Sequence, residues 1–493
     1  MKRLSTYLLA GIALLSASCS DFLDTAPKDA LSPATTWKTE TDAESFVVGC
    51  YNGLLDPSSI LYLDCGSDIG YNNFSWEGWR PWGDGSLSSG NTGASFYDFA
   101  IIRRCNTVLE NIDNVEFTTA GKKEELIAEA KAIRAYRYFI MNWWYAGVPI
   151  IGSYTTAEEA QVPRNTEAEV REQIAQDLDD ALTAINTTPA ARGRIAKGAV
   201  LATKMREALY YGDWQKAKDA AQAIIDLKQY ELDSDYENLF KLTGVDSKEI
   251  ILSDQRLESV FGLGVIGQMY NNDDAGWSSI VPTQNLVDMY EMDNGLTKEE
   301  ATGYYDAKHP FANRDPRMDM TILYPGQEWR GKILNTPACV IIFRYAEVLL
   351  SWAEAENELN GPSDQVYNYI DQIRERVGMP KVVRTKYDTQ DKLRELIRRE
   401  RCVEFAGEGL RRADILRWKD AGGKMLAETL MNGDLKRITG AINYSENDPY
   451  KRAEVTGTAT IETRKFAPKN RYLPFSQTDV LDKNPNIKQN PGY

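Results

Sequence analysis

Between residues 199 and 227 the chain reads as two helices folded back on each other by one tight turn. Ala208, Leu209 and Tyr210 close a helix, Gly212-Asp213 makes the turn, and Trp214 opens a second helix carrying Ala217 and Ala221. Small alanines on facing sides let two antiparallel helices approach closely, and a Gly-Asp pair supplies the backbone freedom the turn needs. The plan returns over 344–377. There Ala346, Leu349, Ala353 and Leu359 lie on one helix, Gly361-Pro362 breaks it, and Tyr369, Ile373 and Val377 lie on the next. A degenerate pair precedes both at 122–185. Its first stripe is Leu126, Ala130, Ile133, Tyr136, Ile140 and Trp143, and its second is Val170, Ile174, Leu178, Leu182 and Ile185. A fourth pair is expected over 389–420. Helix pairs of this kind dictate an all-α scaffold.

The pairs resemble tetratricopeptide units. Long inserts separate them, so a regular solenoid does not follow, and the inserts are expected to form a second face. Two inserts are rich in glycine. The first, 56–94, contains Gly66, Gly70, Gly78, Gly83, Gly85, Gly90 and Gly93. A loop of that length in a compact protein usually carries function. The second, 260–329, reads as loops, short strands and one short helix near 283–290. Ahead of both, Thr41-x-x-Glu44 offers a capping box for a helix through Tyr51.

Charge and composition narrow the chemistry. With 72 Asp+Glu against 57 Lys+Arg the 493-residue chain carries a formal net charge of −15, so nucleic acid is not an expected partner. The single histidine, His309, lies in a Lys-His-Pro-Phe turn, which removes Ser-His-Asp and Cys-His nucleophile systems. No Cys-x-x-Cys pair is present, so the usual zinc ligand sets cannot be assembled. Carboxylate chemistry, an oxygen-ligated metal, or binding without catalysis remain, and no cofactor is expected. At 43% hydrophobic residues the chain buries a large core. Length alone would suggest about three domains. The helix pairs from both ends nevertheless read as one unit, 37–493.

The N-terminus reads as an address. Lys2 and Arg3 precede an apolar run, Leu8 to Leu15, too short to span a bilayer, and Ser16-Ala17-Ser18-Cys19 resembles a relaxed lipobox. Residues 1–18 are then a lipoprotein signal peptide, Cys19 the lipidated residue and 19–36 the tether, with a membrane anchored through lipid. The five remaining cysteines, Cys50, Cys65, Cys105, Cys339 and Cys402, do not form a disulfide framework. A single bridge between Cys50 and Cys65 stays open.

Ligand chemistry is concentrated in the inserts. Tyr71, Asn72, Asn73, Phe74, Trp76, Glu77, Trp79, Arg80 and Trp82 fall within twelve positions. Sugar rings present flat CH-rich faces and hydroxyl edges, which suit aromatic platforms flanked by amides, carboxylates and arginine. Burial of these rings as a satellite core is the competing reading for each tryptophan. The second insert adds Tyr270, Trp277, Tyr304 and Trp329, while Asp273 and Asp274 are weak calcium candidates without EF-hand spacing. Glu400, Arg401, Glu404, Glu408 and Arg411, like Arg344, Glu347, Glu354 and Arg374, sit at helical spacings that suit ion pairs between helices more than a glycosidase's carboxylate pair.

In order along the chain, Cys19-Ser20-Asp21-Phe22-Leu23-Asp24, Tyr51-Asn52-Gly53-Leu54, Arg104-Cys105-Asn106, Trp144-Tyr145-Ala146-Gly147-Val148-Pro149, Asn313-Arg314-Asp315-Pro316-Arg317, Glu400-Arg401-Cys402-Val403-Glu404-Phe405 and the closing Asn484-Pro485-Asn486 to Gly492-Tyr493 resemble the SusD/RagB outer-membrane lipoproteins of Bacteroidota. Ala146 replaces a glycine of the pattern, and Arg411-Arg412-Ala413-Asp414-Ile415 departs from Arg-Phe-x-Asp-Leu, both at packing positions. The resemblance implies a helical fold around four tetratricopeptide-like pairs, a surface-exposed lipoprotein at the cell outer membrane, partnership with a TonB-dependent (SusC-like) transporter, and capture of oligosaccharide or polysaccharide. A peptide-capturing RagB-like member is the alternative within the family, and a carboxylate-based glycosidase the alternative outside it.

Overall fold

The structure, a computed structural model, describes residues 36–54, 57–256, 265–272, 276–327 and 340–493. Its first helix, α1 (Glu40–Cys50), starts two residues earlier than the Thr41-x-x-Glu44 pattern suggests. Thr39 is the N-cap, its hydroxyl accepting from Asp42 N while the Asp42 carboxylate accepts from Thr39 N at 2.9 Å. Glu44 is occupied elsewhere, paired with Arg194 at 2.7 Å. Next come α2 (Pro57–Leu63) and α3 (Ala100–Asn111).

Four helix pairs then follow, interrupted by the inserts. The first joins α4 (Lys122–Tyr145) to α5 (Glu167–Leu182), which Thr166 and Glu169 open with a capping box. The second joins α6 (Lys197–Tyr210) to α7 (Trp214–Asp226) across Gly212, whose φ of +74° is the left-handed conformation a turn this short demands. A short α8 (Gln284–Met289) lies within the second insert. The third pair is α9 (Tyr345–Asn360) with α10 (Asp364–Glu375), and the fourth α11 (Gln390–Glu404) with α12 (Arg411–Arg417). Ala208, Leu209, Ala217 and Ala355 pack into one buried cluster, so α6 and α7 close on α9 through small side chains.

The pairs are riveted by buried arginines. Arg134 on α4 grips Asp177 on α5 through two hydrogen bonds of 2.8 and 2.7 Å, and Arg206 on α6 grips Glu347 on α9 at 2.7 and 2.6 Å. Arg401 on α11 and Arg417 on α12 share Asp414, and Arg417 also binds Glu354 on α9. Bidentate pairs are favourable in an interior because both charges keep their full complement of partners.

Strands are short except at one place. β1 (Gly70–Asn72) pairs antiparallel with β3 (Ile280–Pro282), and β2 (Ile250–Asp254) with β4 (Val340–Arg344). Helical periodicity ends near residue 420, and beyond it β5 (Gly433–Ile442) and β6 (Ala453–Arg464) form a hairpin from Gly433 opposite Arg464 to Ile442 opposite Ala453, with register shifts after Leu435 and after Thr439. The alternation Val455, Thr456, Thr458, Thr460, Ile461 with β-branched residues is the signal for it. The fold is therefore a helical scaffold carrying one substantial hairpin.

Cys50 and Cys65 do not form a bridge: both are free and buried, as are Cys105 and Cys402. Cys50 ends α1 against α3, where its neighbour is the Cys105 thiol, whereas Cys65 sits in the turn that follows α2. Cys19 and Cys339 lie outside the described residues.

Candidate functional site

The two glycine-rich inserts meet. β1 belongs to the first and β3 to the second, with Tyr71 opposite Val281 and Asn72 opposite Ile280. Gly70 starts β1 because a β-carbon there would stand 2.5 Å from the Asp64 carbonyl oxygen. Past the strands, Asn73 N donates to Ser279 O at 2.9 Å. Glu77 then fastens the two inserts together. Its carboxylate accepts from Asn72 Nδ2 at 2.5 Å and from Ser279 Oγ at 2.7 Å.

Out of this frame stand two indoles. Trp76 is 73% exposed and Trp277 54% exposed. Phe74 lies between them, its ring centroid 4.6 Å from Trp76 and 6.5 Å from Trp277, edge-on to the latter at 82°. One aromatic from each insert is thus presented to solvent over a shared phenylalanine wedge. The backbone fixes both positions: Gly78 takes φ +84° to end the turn that carries Trp76, and Trp277 N donates to Gly267 O at 3.2 Å.

Trp79 and Trp82 turn the other way. They are buried, at 6% and 1% exposure, and therefore are not platforms in this structure. Spaced three apart across a short helical turn, Arg80–Asp84, both fall on the inward face. Trp82 packs 5.2 Å from Trp144 of α4 and donates its Nε1–H to Ala94 O at 3.1 Å, so its polar edge is satisfied inside. Arg80 is likewise committed. Its guanidinium donates to Tyr71 OH at 2.9 Å and to Asn72 O at 3.1 Å, and covers the Tyr71 ring at 5.1 Å. Asn72 is buried and spent on Glu77 and Ser279. Asn73 is exposed beside Phe74 and is the amide of this group left facing solvent.

The second insert divides. Trp277 joins the platform, and Tyr270 lies a few residues away on the wall of an adjoining cleft. Tyr304 is exposed but hydrogen-bonds Asp293 at 2.8 Å and makes no ring contact with Trp76 or Trp277. Trp329, Asp273 and Asp274 lie outside the described residues. Phe74 and Ser279 are the members that sequence reading undervalues. Phe74 was visible only as part of the local aromatic density, and nothing in the sequence marks Ser279, because its role depends on the β1–β3 register.

The helical carboxylates occupy a different place. Glu400 binds Arg317 at 3.0 Å and also Arg374, while Glu404 binds Arg344 at 2.7 Å, Arg317 at 3.1 Å and Arg376. All are buried. Burial works against the Glu400 charge, yet the Arg317 and Arg374 guanidiniums outweigh it and hold the carboxyl down at about 2. A general acid requires the opposite displacement, which Glu400 does not have, and each of these carboxylates is committed to arginines that join helices.

Comparison with known proteins places the chain among relatives. The family model described as "SusD family" matches residues 248–341 and 335–493, and one described as "Starch-binding associating with outer membrane" matches 21–209. A SusD-like protein of Formosa agariphila is 27% identical over 465 residues, covering 81% of this chain and 87% of that protein. A SusD-like protein of Bacteroides ovatus is 24% identical over 551 residues, covering 98% and 97%. Among solved structures, a SusD-like carbohydrate binding protein from Bacteroides fragilis superposes with a TM-score of 0.80 at 26% identity, over 92% of this chain and 100% of that one. A laminarin binding SusD-like protein shares the fold, with a TM-score of 0.68 at 21% identity over 93% and 100%.

Proposed function

The chain belongs to the SusD family, and from that premise we propose that it is a surface-exposed, lipid-anchored protein of the outer membrane. It captures oligosaccharide and delivers it to a TonB-dependent (SusC-like) transporter, without catalysing a reaction. The observation that carries the reading is the solvent-facing pair Trp76 and Trp277 around Phe74. Two indoles held apart by a rigid frame suit successive faces of a sugar chain, and a preformed platform loses little freedom on binding. The arginine-saturated state of Glu400 and Glu404 supports binding without hydrolysis. Cys19 is the residue that would carry the lipid.

Affinity electrophoresis of the mature chain against a panel of polysaccharides tests this. Retardation by at least one glycan, weakened by Trp76→Ala or Trp277→Ala, is the expected result. Retention of peptides and of no glycan would transfer the assignment to peptide capture, and release of reducing ends from a bound glycan would replace both with a glycosidase.

A further inference from the structure

We infer that the captured glycan carries an apolar substituent, acyl or aryl, and that this group seats in a cleft beginning one residue beyond Trp277. The inference rests on the glycan-capture reading and adds to it the class of ligand.

The cleft has a volume of about 600 Å³, ample for a ring and its linker. Phe240, Met269, Met320 and Leu323 line it while each remains more than a third exposed, and Ile280 and Pro282 of β3 form its floor. So many water-facing apolar side chains on one concavity favour an apolar occupant, because each ångström squared they cover on binding is removed from water. A bare sugar edge, dense with hydroxyls, would lose hydrogen bonds to water there and gain few.

The cleft begins beside the platform. Ser278, the neighbour of Trp277, lies on its wall, and Ser278 N donates to Tyr270 O at 2.8 Å, which fixes the loop that carries both features. A ring stacked on Trp277 is therefore one residue along the chain from the cleft wall. The amides of Asn271 and Gln327 are among its lining groups and are the polar side chains available to an ester or ring hydroxyl there. The carboxylates in the wall are quiet. Asp319 accepts from Tyr324 OH at 2.9 Å and from Tyr450 OH at 2.5 Å, and Asp64 accepts from Gly407 N at 2.9 Å.

Calorimetric titration of the mature protein with matched methyl and 4-nitrophenyl glycosides of cellobiose, xylobiose and maltose decides the matter. The aryl member of a recognised pair should bind about tenfold tighter or more, the gain expected from covering one ring. Leu323→Asp should abolish that gap while leaving the methyl glycoside unchanged, and Met320→Glu should do the same should the first variant unfold. Equal affinity within every recognised pair, or a gap untouched by a folded variant, overturns the inference and leaves glycan capture standing. Failure of every glycoside and of the polysaccharide panel overturns capture and this inference together.

Discussion

Trp76 and Trp82 belong to one aromatic run and have opposite fates on either side of Gly78, the first exposed and the second buried. Replacing Trp76 or Trp277 by alanine should weaken glycan affinity about tenfold or more and leave unfolding unchanged, since each ring is an exposed contact. Trp82→Ala should instead destabilise the protein by about 3–5 kcal/mol in denaturant unfolding, the cost of emptying a core site. At Ala146 the backbone adopts φ +56° after α4, where a β-carbon is strained, and Ala146→Gly should raise stability by up to about 1 kcal/mol. Asp64 predicts a pH effect. Its folded pKa of about 7 lies above the unfolded value near 4, so the unfolded chain binds fewer protons between them and stability falls as pH rises through that window. Asp64→Asn, which cannot ionise, should remove the fall in stability that the wild type shows between pH 4 and pH 8. Unfolding curves at the two pH values measure it.

Among the elements, α11 is the one on which the C-terminal half depends. From its buried face Glu400 and Glu404 reach arginines on the Arg317–Thr321 turn, at the start of α9 and around α10. Glu400→Gln leaves two buried guanidiniums short of a counter-charge, and should cost about 3–5 kcal/mol without changing affinity for glycan in the folded fraction. Here the pH dependence has the opposite sign from that of Asp64. With a folded pKa of about 2, below the unfolded carboxylate range, Glu400 contributes stability that is complete above about pH 4.5 and is lost as pH falls towards 2. An acid unfolding transition in that range, shifted in the Gln variant, is the expected observation. The sequence made these helices and their arginine and glutamate spacings legible, because a period of 3.6 and a charge pattern are local. The β5–β6 hairpin is marked only by a density of β-branched residues, and the capping box of α1 lies two residues before Thr41-x-x-Glu44 because Thr39 and Thr41 both fit the pattern and Glu44 is committed to Arg194.

For the molecule as a whole, the capture reading predicts attachment and partnership. Cys19→Ala should release the protein from the membrane fraction, and the wild type should co-purify with a large β-barrel transporter from gently solubilised outer membranes. Absence of the barrel would count against delivery while leaving ligand binding intact. Scale also separates what is written along the chain from what is not. The order of helix pairs, the acidic balance, the scarcity of histidine and the family motifs are properties of consecutive residues, and together they determined a helical scaffold with aromatic inserts. Which aromatics face water was decided only by the tertiary structure. That choice depends on β1 meeting β3 some two hundred residues later, on Glu77 bridging to Ser279, and on α4 offering Trp144 as a partner that draws Trp82 inward. Burial is a property of neighbours distant in sequence, and no local pattern in residues 71–82 contains them.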